Sequence, residues 1–155
     1  MNFRNPFGGA FIAIAAVASS LIMGSAHAVA AESHSNDQAE IRAVMAAQVL
    51  AWNRGDIDGF MNGYARAETT EFVSGDKLTR GWQTVRDRYK KKYDSREKMG
   101  TLTFSELNIT PFSSDAALVI GRWKLVRKTD KPQGRFTLLF RRTSAGWRIV
   151  HDHTS

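Results

Sequence analysis

Trp147-Arg148-Ile149-Val150-His151-Asp152-His153-Thr154-Ser155 is the stretch whose reading decides the fold. It alternates as a β-strand does. Trp147, Ile149, His151 and His153 fall on one side, and Arg148, Val150, Asp152 and Thr154 on the other. Two imidazoles thus extend an apolar strand face, and the strand is expected to close a sheet whose covered side opens into a pocket.

Working back from this strand, Thr143-Ser144-Ala145-Gly146 is a four-residue connection. It sets Arg142 opposite Trp147, Phe140 opposite Ile149, Leu138 opposite His151 and Phe136 opposite His153. Arg135 to Arg142 is therefore a strand. Asp130-Lys131-Pro132-Gln133-Gly134 is a loop, and Ala116 to Arg127 is a longer strand before it. The apolar residues of that strand run together, so its phase stays open. Either Gly121, Trp123 and Leu125 or Ile120, Arg122 and Lys124 share the covered face, and a slip of one residue reverses them all. Leu102 and Phe104, with Leu107 and Ile109, mark another strand before Pro111. Thr70 to Ser74 and Leu78 to Arg80 pair around Gly75-Asp76-Lys77.

Helical spacing dominates the first half. Asp37, with Glu40 three residues on, reads as a cap for a helix bearing Ile41, Val44, Met45, Gln48 and Trp52 on one face. Gly55 ends it. Asp56 caps a second helix carrying Ile57, Phe60, Met61 and Tyr64. Trp82, Val85, Tyr89 and Tyr93 mark a third. Helices first and a strand meander last predict an α+β domain: a curved antiparallel sheet wrapped around three N-terminal helices into a cone with an open end.

Ahead of this domain the composition changes. Arg4, the apolar run Ala10–Met23 and Ala26-His27-Ala28 form the three parts of a secretory signal peptide. The expected organisation is a signal peptide at 1–28, a disordered lead-in at 29–36 and one domain at 37–155, exported to the periplasm or secreted. After cleavage no membrane span is expected. The chain has no cysteine, which excludes a disulfide framework, a thiolate metal site and a cysteine nucleophile. The net charge is +7, with much of the excess between Arg86 and Lys98. That run reads as a solvated helix face, and no nucleic-acid motif accompanies it.

The expected site is an aromatic cavity with a polar end. Trp52, Tyr64, Trp123, His151 and His153 are the candidate ligand-binding residues. Glu68, just before the first strand, is the candidate catalytic carboxylate, since burial at a pocket mouth would raise its pKa toward the range of a general base. His151 and His153 alone do not complete a metal site, so neither a metal nor a cofactor is expected. A small apolar or amphipathic molecule is the expected partner. The sheet face away from the helices, assigned Val119, Val126, Leu139 and Val150, predicts a homo-oligomer, a dimer first.

Ala51-Trp52-Asn53-Arg54-Gly55-Asp56, Phe60, Tyr64, Phe72-Val73-Ser74-Gly75, Arg80-Gly81-Trp82 and the closing Gly146–Ser155 together resemble exported bacterial members of the SnoaL-like group. That group lies within the nuclear transport factor two-like superfamily of cone-shaped α+β folds. The tail is also similar to the association domain of calmodulin-dependent kinases. That likeness implies ring assembly and an arginine-lined pocket, but Leu138 stands where one such arginine is expected and Trp123 replaces another. Ketosteroid isomerases and polyketide cyclases of the superfamily move protons with a carboxylate and a tyrosine. By position the resemblance gives those parts to Glu68 and Tyr64. The expected functions are ordered accordingly: a small-molecule-binding or accessory domain, then a cofactor-independent proton-transfer enzyme using Glu68, then an oligomerisation module.

Overall fold

A computed structural model describes the backbone of residues 20–155 and the side chains of residues 34–155. The signal peptide expected at 1–28, with its cleavage site, lies outside the described side chains. Two compact units divide the chain, Met1–Glu32 and Ser33–Ser155. The second unit carries the fold described below.

Helix α1 spans Ser20–Asn53. Asp37 lies inside it rather than at its start, so the expected cap is not one. The Asp37 carboxylate is buried and instead pairs with Arg142 of the sheet, which also binds Glu40 at 2.9 Å. Ile41, Met45, Gln48 and Trp52 form the buried face, as the helical spacing requires. Gly55, at φ +88°, ends the helix. Its N–H reaches the Trp52 carbonyl, and the Asp56 N–H reaches that of Ala51. That double closure needs a left-handed residue, which only glycine supplies without a steric penalty. Asp56 then caps α2 (Ile57–Met61) by accepting from the Gly59 N–H at 2.6 Å. Helix α3 spans Trp82–Lys92, and a short α4, Arg96–Met99, adds to the three expected helices.

The strands are β1 (Glu71–Ser74), β2 (Lys77–Arg80), β3 (Thr101–Ser113), β4 (Ala116–Val126), β5 (Gln133–Thr143) and β6 (Gly146–Thr154). They form one sheet in the order β2-β1-β6-β5-β4-β3. Every pairing is antiparallel except β1 with β6. The fold is thus the expected α+β arrangement, a curved, unclosed sheet with helices on its inner side. β3 runs through Pro111, which an edge strand tolerates because no ladder partner needs its missing N–H. A bulge at Glu106, where φ is +53°, lets Leu102, Phe104, Leu107 and Ile109 all face inward despite their uneven spacing. The edge of β3 is tied to α1. Asn53 accepts from the Leu102 N–H at 2.7 Å and donates to the Leu102 carbonyl at 3.0 Å, and Gln38 donates to the Ile109 carbonyl. These amides occupy backbone groups that would otherwise form an open edge.

The open phase of β4 resolves to Gly121, Trp123 and Leu125 on the inner face, with Ile120 and Lys124 outside. Val119 shares the inner phase and is fully buried, which corrects its assignment to the outer face. The outer face keeps Ile120 and Val126, both exposed, beside half-buried Leu118, Leu139 and Val150.

Candidate functional site

The inner face of the sheet and α1, α2 and α3 enclose a cavity of about 370 Å³. This lies within the common range for small-molecule sites. Trp52, from the last turn of α1, forms one wall. Its indole N–H donates to the Met99 carbonyl at 3.2 Å, and its ring meets Phe60 and Tyr93 edge to face, with centroids 5.1 and 4.7 Å apart. Phe136 and Leu138 of β5 supply the opposite wall. Trp123 of β4 stands half-buried between them and the outside, fixed by its N–H to the Ser155 carbonyl at 3.1 Å. Gly121 leaves room for this packing. A Cβ there would lie 2.5 Å from the end of the Phe136 ring.

The floor is polar. The Tyr64 hydroxyl donates to Asp152 Oδ2 at 2.8 Å, and the Thr154 hydroxyl donates to Asp152 Oδ1 at 2.6 Å. Asp152 is only 3% exposed. Burial pushes its pKa up to about 6, because a desolvated carboxylate is costly; the hydrogen bonds from Thr154 and Tyr64 oppose the rise. Burial, with the Asp152 charge second, drives the Tyr64 and Tyr89 hydroxyls well above their ordinary value. Tyr64 therefore stays a proton donor while Asp152 changes protonation near pH 6. Among the described residues no side chain or backbone group hydrogen-bonds the Tyr89 hydroxyl, so it remains available to a guest.

Of the expected site residues, Trp52, Tyr64 and Trp123 line one cavity. His151 and His153 do not. His151 is half-exposed, with Nδ1 3.0 Å from Glu71 Oε2, and His153 is exposed. The cause is a bulge. The hairpin register holds from Arg142↔Trp147 to Phe140↔Ile149, but the next pair is Leu139↔His151, leaving Val150 as an extra residue. Beyond it Leu138 opposes Asp152 and Phe136 opposes Thr154, where His151 and His153 were expected. At the same place the other neighbour of β6 changes. Tyr64 bridges Ile149, whereas β1 pairs from His151 onward. Glu68 is also outside the cavity. It is exposed, with its carboxylate beside Gly81 at the start of α3.

Sequence reasoning missed Asp152 and Thr154, which strict alternation turned outward. The available signal was the Ile149-Val150 doublet, two successive apolar residues where a half-covered strand should alternate. It also missed the cavity mouth, where Lys77, Arg88 and Lys92 stand.

With this geometry in place, the sequence profile of the SnoaL-like domain matches residues 41–155. An NTF-2-like protein of unknown function from Shewanella oneidensis MR-1 is 39% identical, over 76% of this chain and 98% of its own, with a TM-score of 0.74. An NTF2-like superfamily protein from Salmonella enterica serovar Typhimurium LT2 is 20% identical, covering 79% of this chain and 92% of its own at a TM-score of 0.64. A calcium/calmodulin-dependent kinase II association-domain-like protein from Xanthomonas campestris is 14% identical, covering 75% and 84% at 0.59, and shares the fold. No curated protein sequence matches the chain.

Proposed function

The chain belongs to the SnoaL-like domain family of NTF2-like folds, and we propose that it binds a small apolar or amphipathic molecule. One observation carries this reading: an aromatic cavity of about 370 Å³ ends on a buried, hydrogen-bonded carboxyl group. Apolar walls supply affinity at roughly 25 cal/mol per Å² removed from water. The Asp152 floor orients a polar group. Native mass spectrometry of the purified protein, with Leu138→Trp as the filled-cavity control, tests the reading. A co-purifying organic molecule that the substitution displaces supports it. An empty protein that also fails to bind any member of an apolar ligand library overturns it.

A second reading is a cofactor-independent proton-transfer enzyme, with the carboxylate role moved from Glu68 to Asp152. A pKa pushed up to about 6 beside a tyrosine donor favours it. Deuterium exchange at an acidic C–H of a cyclic ketone, lost in Asp152→Asn and kept in Glu68→Gln, is the expected result.

The proposed assembly is a homodimer through the outer sheet face, where Ile120 and Val126 are about 40% exposed. Ile120→Lys should turn a dimer into a monomer by light scattering. Export is the remaining proposal, and N-terminal sequencing of the exported protein should begin near Val29.

A further inference from the structure

The cavity is electrically polarised from end to end. Its floor holds Asp152, whose two oxygens already accept from Tyr64 and Thr154. A ligand anion placed there meets a like charge at neutral pH. Its mouth is the reverse. Lys77 comes from the β1–β2 hairpin, while Arg88 and Lys92 stand one turn apart on α3.

These three cations differ from Arg80, Arg86 and Lys90 beside them. Arg86 and Lys90, on another face of α3, both bind Asp58, at 2.5 and 2.8 Å, and Arg80 binds Glu71 at 2.9 Å. Among the described residues, no carboxylate pairs with Lys77, Arg88 or Lys92. Arg88 is nevertheless held in place. Its Nη1 donates to the Thr79 hydroxyl at 2.7 Å, and its guanidinium lies 5.5 Å from the Phe72 ring centroid. The rest of its donor fork is uncommitted. Lys92 lies over the Tyr93 ring at 5.2 Å. On α3, Arg86 and Lys90 are thus neutralised by Asp58, while Arg88 and Lys92 stay open on the side that faces the cavity.

We infer that the ligand is an organic acid, with an aromatic or alicyclic body among Trp52, Phe136 and Leu138 and its anionic group at the mouth between Lys77, Arg88 and Lys92. The inference rests on the small-molecule-binding reading and adds the ligand's charge and direction. A neutral or donor group on the body, such as a hydroxyl, meets Asp152 and the free Tyr89 hydroxyl at the floor.

Two fluorescent probes with the same ring body separate these claims: anilinonaphthalene sulfonate, an anion, and N-phenylnaphthylamine, its uncharged parent. At low salt the native protein should bind the sulfonate about tenfold more tightly, a gap that closes as salt screens the mouth. Arg88→Gln and the double variant Lys77→Gln/Lys92→Gln should each weaken the sulfonate about fivefold and leave the neutral dye within about twofold, as expected for partly exposed charges. The two lysines are exposed, so the double variant keeps the fold. Leu138→Trp should remove both dyes. Equal affinity for the two dyes, or sulfonate binding indifferent to these variants, overturns the assignment of charge while leaving a binding cavity. Sulfonate binding that survives Leu138→Trp overturns the location. Binding of neither dye overturns this inference, and the ligand library then decides the cavity's binding role separately.

Discussion

Asp152→Asn isolates what a buried carboxyl group does to stability. Asparagine keeps the shape and loses the ionisation. In the folded protein burial holds the Asp152 pKa at about 6, against its ordinary value of 3.8. Between those values the folded state keeps a proton that the unfolded chain releases. The stabilisation tied to that proton is complete below about pH 3.8 and is lost as pH rises through about 6. A difference of about two pH units, at about 1.36 kcal/mol each, corresponds to about 3 kcal/mol. Other carboxylates act in the opposite sense. Asp58 is held near 2, chiefly by Arg86 and Lys90, and Asp56, Glu71 and Asp115 also lie below their ordinary values. Those groups stabilise at neutral pH and lose their contribution on acidification, so the wild-type curve alone mixes both effects. The difference between wild type and Asp152→Asn does not. Urea titrations from pH 3 to 7.5 should show the variant gaining about 3 kcal/mol on the wild type as pH rises. In thermal melts the same gain is about 10 °C for a domain of this size. A difference that stays flat across this range, or falls, refutes the reasoning, because Asp152 would then titrate like an exposed aspartate.

Two further outcomes follow from the packing. Gly121→Ala places a methyl group 2.5 Å from Phe136 Cζ and 2.8 Å from Leu107 Cδ2, so the Phe136 ring that lines the cavity and Leu107 must shift. The expected cost is about 1–3 kcal/mol in urea unfolding, with weaker binding of both dyes. His153→Ala, on the outer sheet face, should leave dye affinity unchanged, and a loss of affinity would return the imidazole to the cavity.

Most of the architecture is legible in the residues because burial imposes a period. Ile41, Met45, Gln48 and Trp52 repeat at helical spacing. Gly55 and Asp56 carry the chemistry of a helix stop and a helix start. The β5–β6 register is readable from Arg142 as far as Ile149, because one short connection fixes it. Legibility fails where period alone cannot decide. Ile149 and Val150 are both apolar, so either can face the core, and the pattern does not say where the extra residue enters. The same limit hides the Glu106 bulge. Asp152 illustrates the consequence for the site. An aspartate in a strand reads as solvent-facing, and the hydrogen bonds from Thr154 and from Tyr64, 88 positions away, explain its burial. Arg88 and Lys92 are visible as charges, but their lack of carboxylate partners emerges only from three-dimensional contacts.

The extra residue at Val150 decides which of the tail's side chains reach the cavity floor. Before it, Trp147 and Ile149 face inward; after it, Asp152 and Thr154 do. Deleting that one position would restore strict alternation and keep the same faces, with Ile149 inward, His151 outward and Asp152 inward. While Val150 is present, the acid at the floor therefore depends on the bulge itself: with Val150 paired opposite Leu139, His151 would oppose Leu138 and the same tail would turn its imidazoles inward. In such a scaffold the register of the ladder, and not the identity of any side chain, decides which chemistry stands at the floor.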